Sequence, residues 1–113
     1  MPKVKERRFF ARYPAVNLMI EIDGQMFEVE DISLGGLRLN GRANVRNSFF
    51  SFTLCPRESG AINRKAAVRG EAAVVALYDN AMALKFERAN MPLMKLVVRQ
   101  AANELGVEPY AVK

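Results

Sequence analysis

The sequence predicts an all-β barrel carrying one C-terminal helix, and three observations predict it. From Tyr13 to Phe86, apolar and polar residues alternate over short stretches, the period-two pattern of half-buried strands. Turn-forming pairs, Asp23-Gly24 and Asp79-Asn80, punctuate those stretches. Beyond Phe86 the apolar spacing becomes helical. The 113 residues, half of them hydrophobic and 26% charged, suit one globular domain. The expected organisation is a flexible basic arm over residues 1–12 and a barrel domain over 13–113, with its helix at about 91–105.

Each element has its own signal. Val16, Leu18, Ile20 and Ile22 alternate with Asn17, Met19 and Glu21, giving a strand with one apolar face. Asp23-Gly24 gains positive φ readily and suits a tight hairpin turn. The return strand runs from Gln25 to about Ile32, with Phe27 and Val29 inward and Glu28 and Glu30 toward water. The alternation breaks at Asp31-Ile32, so facing is left open there. Leu37 and Leu39 form a short strand with Arg38 outward. Ser48 to Cys55 follows, with Phe50, Phe52 and Leu54 on one side, and Pro56 to Gly60 reads as a loop. A long segment from about Lys65 to Leu77 contains Gly70, which predicts a bulge or sharp bend. Ala81 to Phe86 closes the set. In the helix, Met94, Val97, Val98, Ala101 and Leu105 form the apolar stripe, Asn90 caps the start, Pro92 fits the first turn and Gly106 ends it. Six or seven short antiparallel strands with one amphipathic helix make a small barrel whose helix covers an end or flank.

Composition removes several function classes. No apolar run approaches the roughly 20 residues of a membrane-spanning helix. No apolar stretch follows the charges of the N-terminus, so a secretory signal is not visible, and a reducing cytoplasm is the expected compartment. Histidine is absent, which removes the commonest general base and metal ligand. The single cysteine, Cys55, cannot close an internal disulfide or build a multi-thiolate zinc site, and it has no histidine to activate it. A buried structural thiol is its expected role. Glu28 and Glu30 share a strand face and admit a paired-carboxylate reading; a solvated face is the simpler one. The expectation is a protein that is not an enzyme, with no catalytic residue, no metal and no cofactor. The aromatic cluster at 48–52 reads as core, and any of its phenylalanines left exposed would mark a partner surface.

Charge is concentrated. The net charge is +5, and residues 1–12 contribute +4 of it through Lys3, Lys5, Arg7, Arg8 and Arg12 against Glu6. Such an arm attracts anions, whether nucleic acid, lipid head groups or a nucleotide, or else serves as a solubilising tail. The nearly neutral remainder offers no broad basic groove for a nucleic-acid backbone.

Two segments hold the residues suited to binding chemistry. In Arg7-Arg8-Phe9-Phe10-Ala11-Arg12, the forked, permanently charged guanidiniums can engage paired acceptors or stack on a base, while Phe9 and Phe10 can anchor the arm. In Asp31-Ile32-Ser33-Leu34-Gly35-Gly36, Asp31 offers acceptors for a paired N–H edge and Ser33 offers a hydroxyl. Gly35 and Gly36 allow a bend and close approach to the backbone. The same segment also reads as a tight turn in which Asp31 or Ser33 caps neighbouring backbone groups.

In this order, an Arg-x-x-x-Arg arm, a strand, a hairpin and Asp-x-Ser-x-x-Gly, the chain resembles the PilZ domain family of bacterial receptors for cyclic di-GMP. The resemblance runs from about Arg7 to Leu105 and implies a six-stranded antiparallel barrel with an associated helix. It implies that Arg8 and Arg12 are the arm arginines and that Asp31, Ser33 and Gly36 are the fixed positions of the second motif. Gly35 and Arg38 stand beside them as further candidate contacts, Arg38 being equally readable as an exposed strand residue. Arg7, basic and just ahead of the first motif arginine, resembles the arrangement that accepts an intercalated dimer of cyclic di-GMP; a solvated charge is the alternative. Ligand binding would order the arm and pass a signal to an effector protein. Two other readings stand against this one: a ligand-free PilZ-like protein adaptor, and a small-barrel nucleic-acid module whose Phe9, Phe10 and Tyr13 stack on bases.

Overall fold

The chain begins its first strand pairing at Tyr13–Pro14, a two-residue strand (β1), and then breaks before Leu18–Ile22 (β2). The structure, a computed structural model, describes residues 12–15, 17–88 and 90–106. The expectations for Arg7, Arg8, Phe9, Phe10 and Val16 lie outside those residues. Asp23 and Gly24 turn the chain with φ of 52° and 80°, as a right-twisted two-residue hairpin requires. The strand Gln25–Ile32 (β3) returns, followed by Gly36–Asn40 (β4), Phe49–Glu58 (β5), Ala61–Ile62 (β6), Val68–Leu77 (β7) and Ala81–Glu87 (β8). A turn of 3₁₀ helix at Arg64–Ala66 leads into β7.

Six strands close on themselves in the order β3, β2, β5, β7, β8, β4 and back to β3. Every pairing is antiparallel. This is the six-stranded antiparallel barrel that the sequence led us to expect, and closure removes the open edges that would template aggregation. The core is built from alternate residues of each strand. Leu18, Ile20 and Ile22 bury from β2, Leu37 and Leu39 from β4, Phe52 and Leu54 from β5, and Leu84 and Phe86 from β8. Phe52 and Phe86 stack with ring centroids 5.7 Å apart, a spacing favourable for an offset aromatic pair.

Three features of the strands depart from expectation. First, β5 does not stop at Cys55 but runs through Pro56 to Glu58. Proline is tolerated there because pairing with β7 ends at Leu54, and β6 takes over beyond it. Second, Gly70 is not a bulge. It pairs with Phe52, and a Cβ at that position would lie 2.6 Å from the Phe52 ring, so the glycine makes room for the core aromatic. The irregularity of β7 falls instead between Val74 and Ala76. Third, Phe49 is exposed rather than core, as are Val75 and Leu77.

The helix Met91–Leu105 (α1) has its ends where the caps predict. The Asn90 side chain accepts from the Leu93 N–H at 2.9 Å and donates to the Arg69 carbonyl at 3.1 Å, so it caps α1 and ties it to β7. Gly106 takes the left-handed conformation that ends the helix. The buried face, however, is rotated from the predicted stripe. Val97 and Ala101 bury as expected, but Leu93 and Ala102 join them, Met94 and Val98 are half-buried and Leu105 is exposed. The helix is apolar on two sides, so periodicity alone could not choose between them. It lies against β1 and β7.

Among the described residues, no helix is long and apolar enough to cross a membrane, and no cluster of three metal-ligating side chains occurs.

Candidate functional site

The site is set by a phase change in β3. Phe27 and Val29 face inward, and a regular strand would send Asp31 inward too. Between Val29 and Asp31 the register with β4 shifts: Val29 pairs with Leu39, and Asp31 with Arg38. Glu30 is the extra residue of this β-bulge. It returns Asp31 to the outer face and turns Ile32 into the core, where it is fully buried. This bulge is the physical cause of the broken alternation at Asp31-Ile32.

On β3's other edge, β1 pairs Tyr13 with Ile32 and Pro14 with Asp31. Arg12, two residues before Pro14, therefore leaves the strand on Asp31's face. Its guanidinium donates to Asp31 Oδ1 at 2.6 Å, with both side chains about one quarter exposed. Such a charge-assisted contact fixes the direction of both groups. The root of the basic arm and the acidic corner are thus in direct contact.

Arg38 adds a second cation on the same surface. Its Nε lies 2.8 Å from Glu30 Oε1, without the alignment of a hydrogen bond, and its guanidinium carbon sits 4.4 Å from the centroid of the Tyr78 ring. The bulge therefore presents two consecutive carboxylates, each met by a different arginine. Tyr78 and Glu30 are the site-facing residues that sequence reasoning missed. The phase break pointed to the bulge, but nothing local links Tyr78 to Arg38.

The motif's small residues build the corner. The Ser33 hydroxyl accepts from the Gly35 and Gly36 N–H groups at 3.1 and 3.2 Å and donates to the Gly36 carbonyl at 3.3 Å. Ser33 is buried, and its own N–H donates to the Gly36 carbonyl at 2.8 Å. The hydroxyl is thereby committed to the turn. Gly35 lends its carbonyl to the Phe86 N–H at 2.9 Å, stitching the corner to β8. At Gly36, a Cβ would stand 2.1 Å from the Leu84 carbonyl oxygen. The space that glycine frees is thus occupied by β8 backbone. The arrangement can hold an anion against Arg12 and Arg38, accept N–H donors at Asp31, and offer the exposed Tyr78 ring as a flat surface.

A closed six-stranded antiparallel barrel with a helix at its C-terminal end is the fold of the PilZ domains. The chain is similar to the PilZ domain of CeSA from a cellulose-synthesizing bacterium, with a TM-score of 0.55 and 16% identity over 82% of this chain and 96% of that one. It is also similar to the Bacillus subtilis inhibitor of motility MotI/DgrA, with a TM-score of 0.62 and 20% identity, covering 94% of this chain but 55% of the other. The uncharacterized Legionella protein Lpg0364 shares the fold at a TM-score of 0.58 and 16% identity over 79% of this chain and 88% of that one. These are likenesses of fold. No family model matches the sequence, and no curated protein matches it.

Proposed function

We propose that this chain is a receptor for cyclic di-GMP that binds the nucleotide between its basic arm and the Asp31–Gly36 corner. The observation that carries the reading is the contact between Arg12 and Asp31: the two halves of the motif, far apart in sequence, meet on one surface. The ligand's chemistry suits what stands there. Guanine presents O6 and N7 to a guanidinium and its N1 and N2 hydrogens to a carboxylate, and the phosphates require cations. Arg12 uses one of its five donors on Asp31, and Arg38 holds its guanidinium against Tyr78. Arg7 and Arg8 complete the cation set from the arm, with Arg7 serving a second, intercalated nucleotide. Ser33 and Gly36 act by shaping the corner. Since β1 follows Arg12 directly and lies against α1, a change in the arm has a short route to the helix and from there to a protein partner.

Isothermal titration tests this. The wild type should bind cyclic di-GMP in clear preference to GTP. Arg12→Ala and Asp31→Ala should each weaken binding by about thirtyfold or more, the consequence of losing about 2 kcal/mol or more of engaged charge. Two nucleotides per chain would support the intercalated dimer, and one would remove it. Equal affinity in all three proteins, or no preference over GTP, would refute the receptor.

One observation favours a second reading, a PilZ-like adaptor without ligand. The motif side chains among the described residues already serve the fold, since Arg12 and Asp31 satisfy each other and Ser33 caps its turn. On that reading the titration yields no heat with any nucleotide.

A further inference from the structure

We infer that the outer face of α1 is a docking surface for an acidic amphipathic segment of a partner protein. The inner face of the helix packs into the core through Leu93, Val97 and Ala101. A second apolar row, Met91, Met94 and Val98, runs at helical spacing along the flank of that face, with Met94 and Val98 half-buried, and lines a shallow depression of about 290 Å³. Met91 is 66% exposed. At Met91 a helix that needed only to cover the barrel would carry a polar residue. Methionine suits an adaptable contact surface, since its unbranched, polarisable chain repacks around different partners.

The rim identifies the occupant. Lys95 and Arg99 border the apolar row, and both also line an adjoining cleft of about 550 Å³ between α1 and the barrel. Arg57 adds a third cation to the cleft, and Glu58 is the only anion lining it among the described residues. A ridge of two cations thus separates an apolar depression from a basic cleft. Two apolar residues one helical turn apart would fill the depression, and carboxylates beside them would meet Lys95, Arg99 and Arg57. Charge complementarity makes the partner acidic. A basic segment would meet repulsion, and a second copy of α1 would bring like charge against like.

Among the described residues, none that lines this surface belongs to the Asp31–Gly36 corner, and the inference does not rest on nucleotide binding. Phage-displayed 12-residue peptides without charge bias, selected on the full chain, supply the test. Selected peptides should carry apolar residues three or four apart with at least two carboxylates, and should shift the Met91 and Met94 methyl resonances. Their affinity should fall tenfold or more in the Lys95→Glu/Arg99→Glu protein, whose thermal melt confirms folding. Failure to select any peptide, selection of neutral or basic peptides, or indifference to the charge reversal would overturn the inference. So would a dimer in sedimentation that Met94→Glu dissociates, or binding to phosphatidylglycerol vesicles that the double variant abolishes.

Discussion

Gly36 shows how a glycine in a sequence motif can be required by packing alone. A methyl group there would meet the Leu84 carbonyl at 2.1 Å, and that oxygen belongs to backbone that cannot swing aside. Gly36→Ala should destabilise the protein by about 3 kcal/mol, at the upper end of overpacking costs, and lower the melting temperature by about 10 °C. Thermal denaturation followed by circular dichroism measures this, and an unchanged melt would show that β8 yields. Lost nucleotide binding in that variant would therefore report lost architecture. Arg12 and Asp31 are the cleaner probes, since both side chains are partly exposed and neither belongs to the hydrophobic core. The motif was legible in the sequence as a string of residues, but the contacts those residues make were not. Gly36 answers to a carbonyl on β8 and Arg38 to a ring at Tyr78, and neither neighbour is local to the motif.

At the scale of elements, what local chemistry determines was readable and what distant packing determines was not. The limits of α1 follow from Asn90, Pro92 and Gly106, each acting within one turn of itself. Its rotation follows from the barrel surface beneath, which no helical periodicity contains. The hairpin at Asp23-Gly24 was readable for the same local reason, whereas the passage of β5 through Pro56 depends on which strand lies alongside. Asn90 joins the two regimes, capping α1 while donating to the Arg69 carbonyl of β7. Asn90→Ala removes both bonds and should cost about 1–2 kcal/mol. Asn90→Asp keeps the cap acceptor and loses the donor, so chemical denaturation should place it between the wild type and the alanine variant. An aspartate as damaging as alanine would locate the whole effect in the tie to β7.

For the molecule as a whole, Cys55 reports on the integrity of the barrel. It is fully buried where β5 pairs with β2, and burial pushes its thiol pKa up. The folded state favours the neutral thiol. Stability is therefore unaffected below the ordinary thiol value and falls as pH rises through it, because the unfolded chain ionises there while the folded chain resists. The urea midpoint should decline from about pH 8 to about pH 10, less steeply in Cys55→Ala. In native protein at about pH 8, thiol-reagent labelling should be on the order of a thousandfold slower than in the unfolded chain, since reaction waits on opening of the barrel. Rapid labelling would mean that β2 and β5 separate locally.

The extra residue in β3 decides which changes of length the acidic corner can survive. Val29 points inward, Glu30 and Asp31 both point outward, and Ile32 points inward again. Removing either acid leaves a regular inward, outward, inward sequence, so the hydrocarbon lining would stay in place. Loss of Glu30 would strip Arg38 of its anion; loss of Asp31 would let glutamate inherit the position opposite Pro14. The segment thus carries a spare carboxylate, and shortening by one residue offers a path between a doubly and a singly acidic corner that leaves the barrel whole.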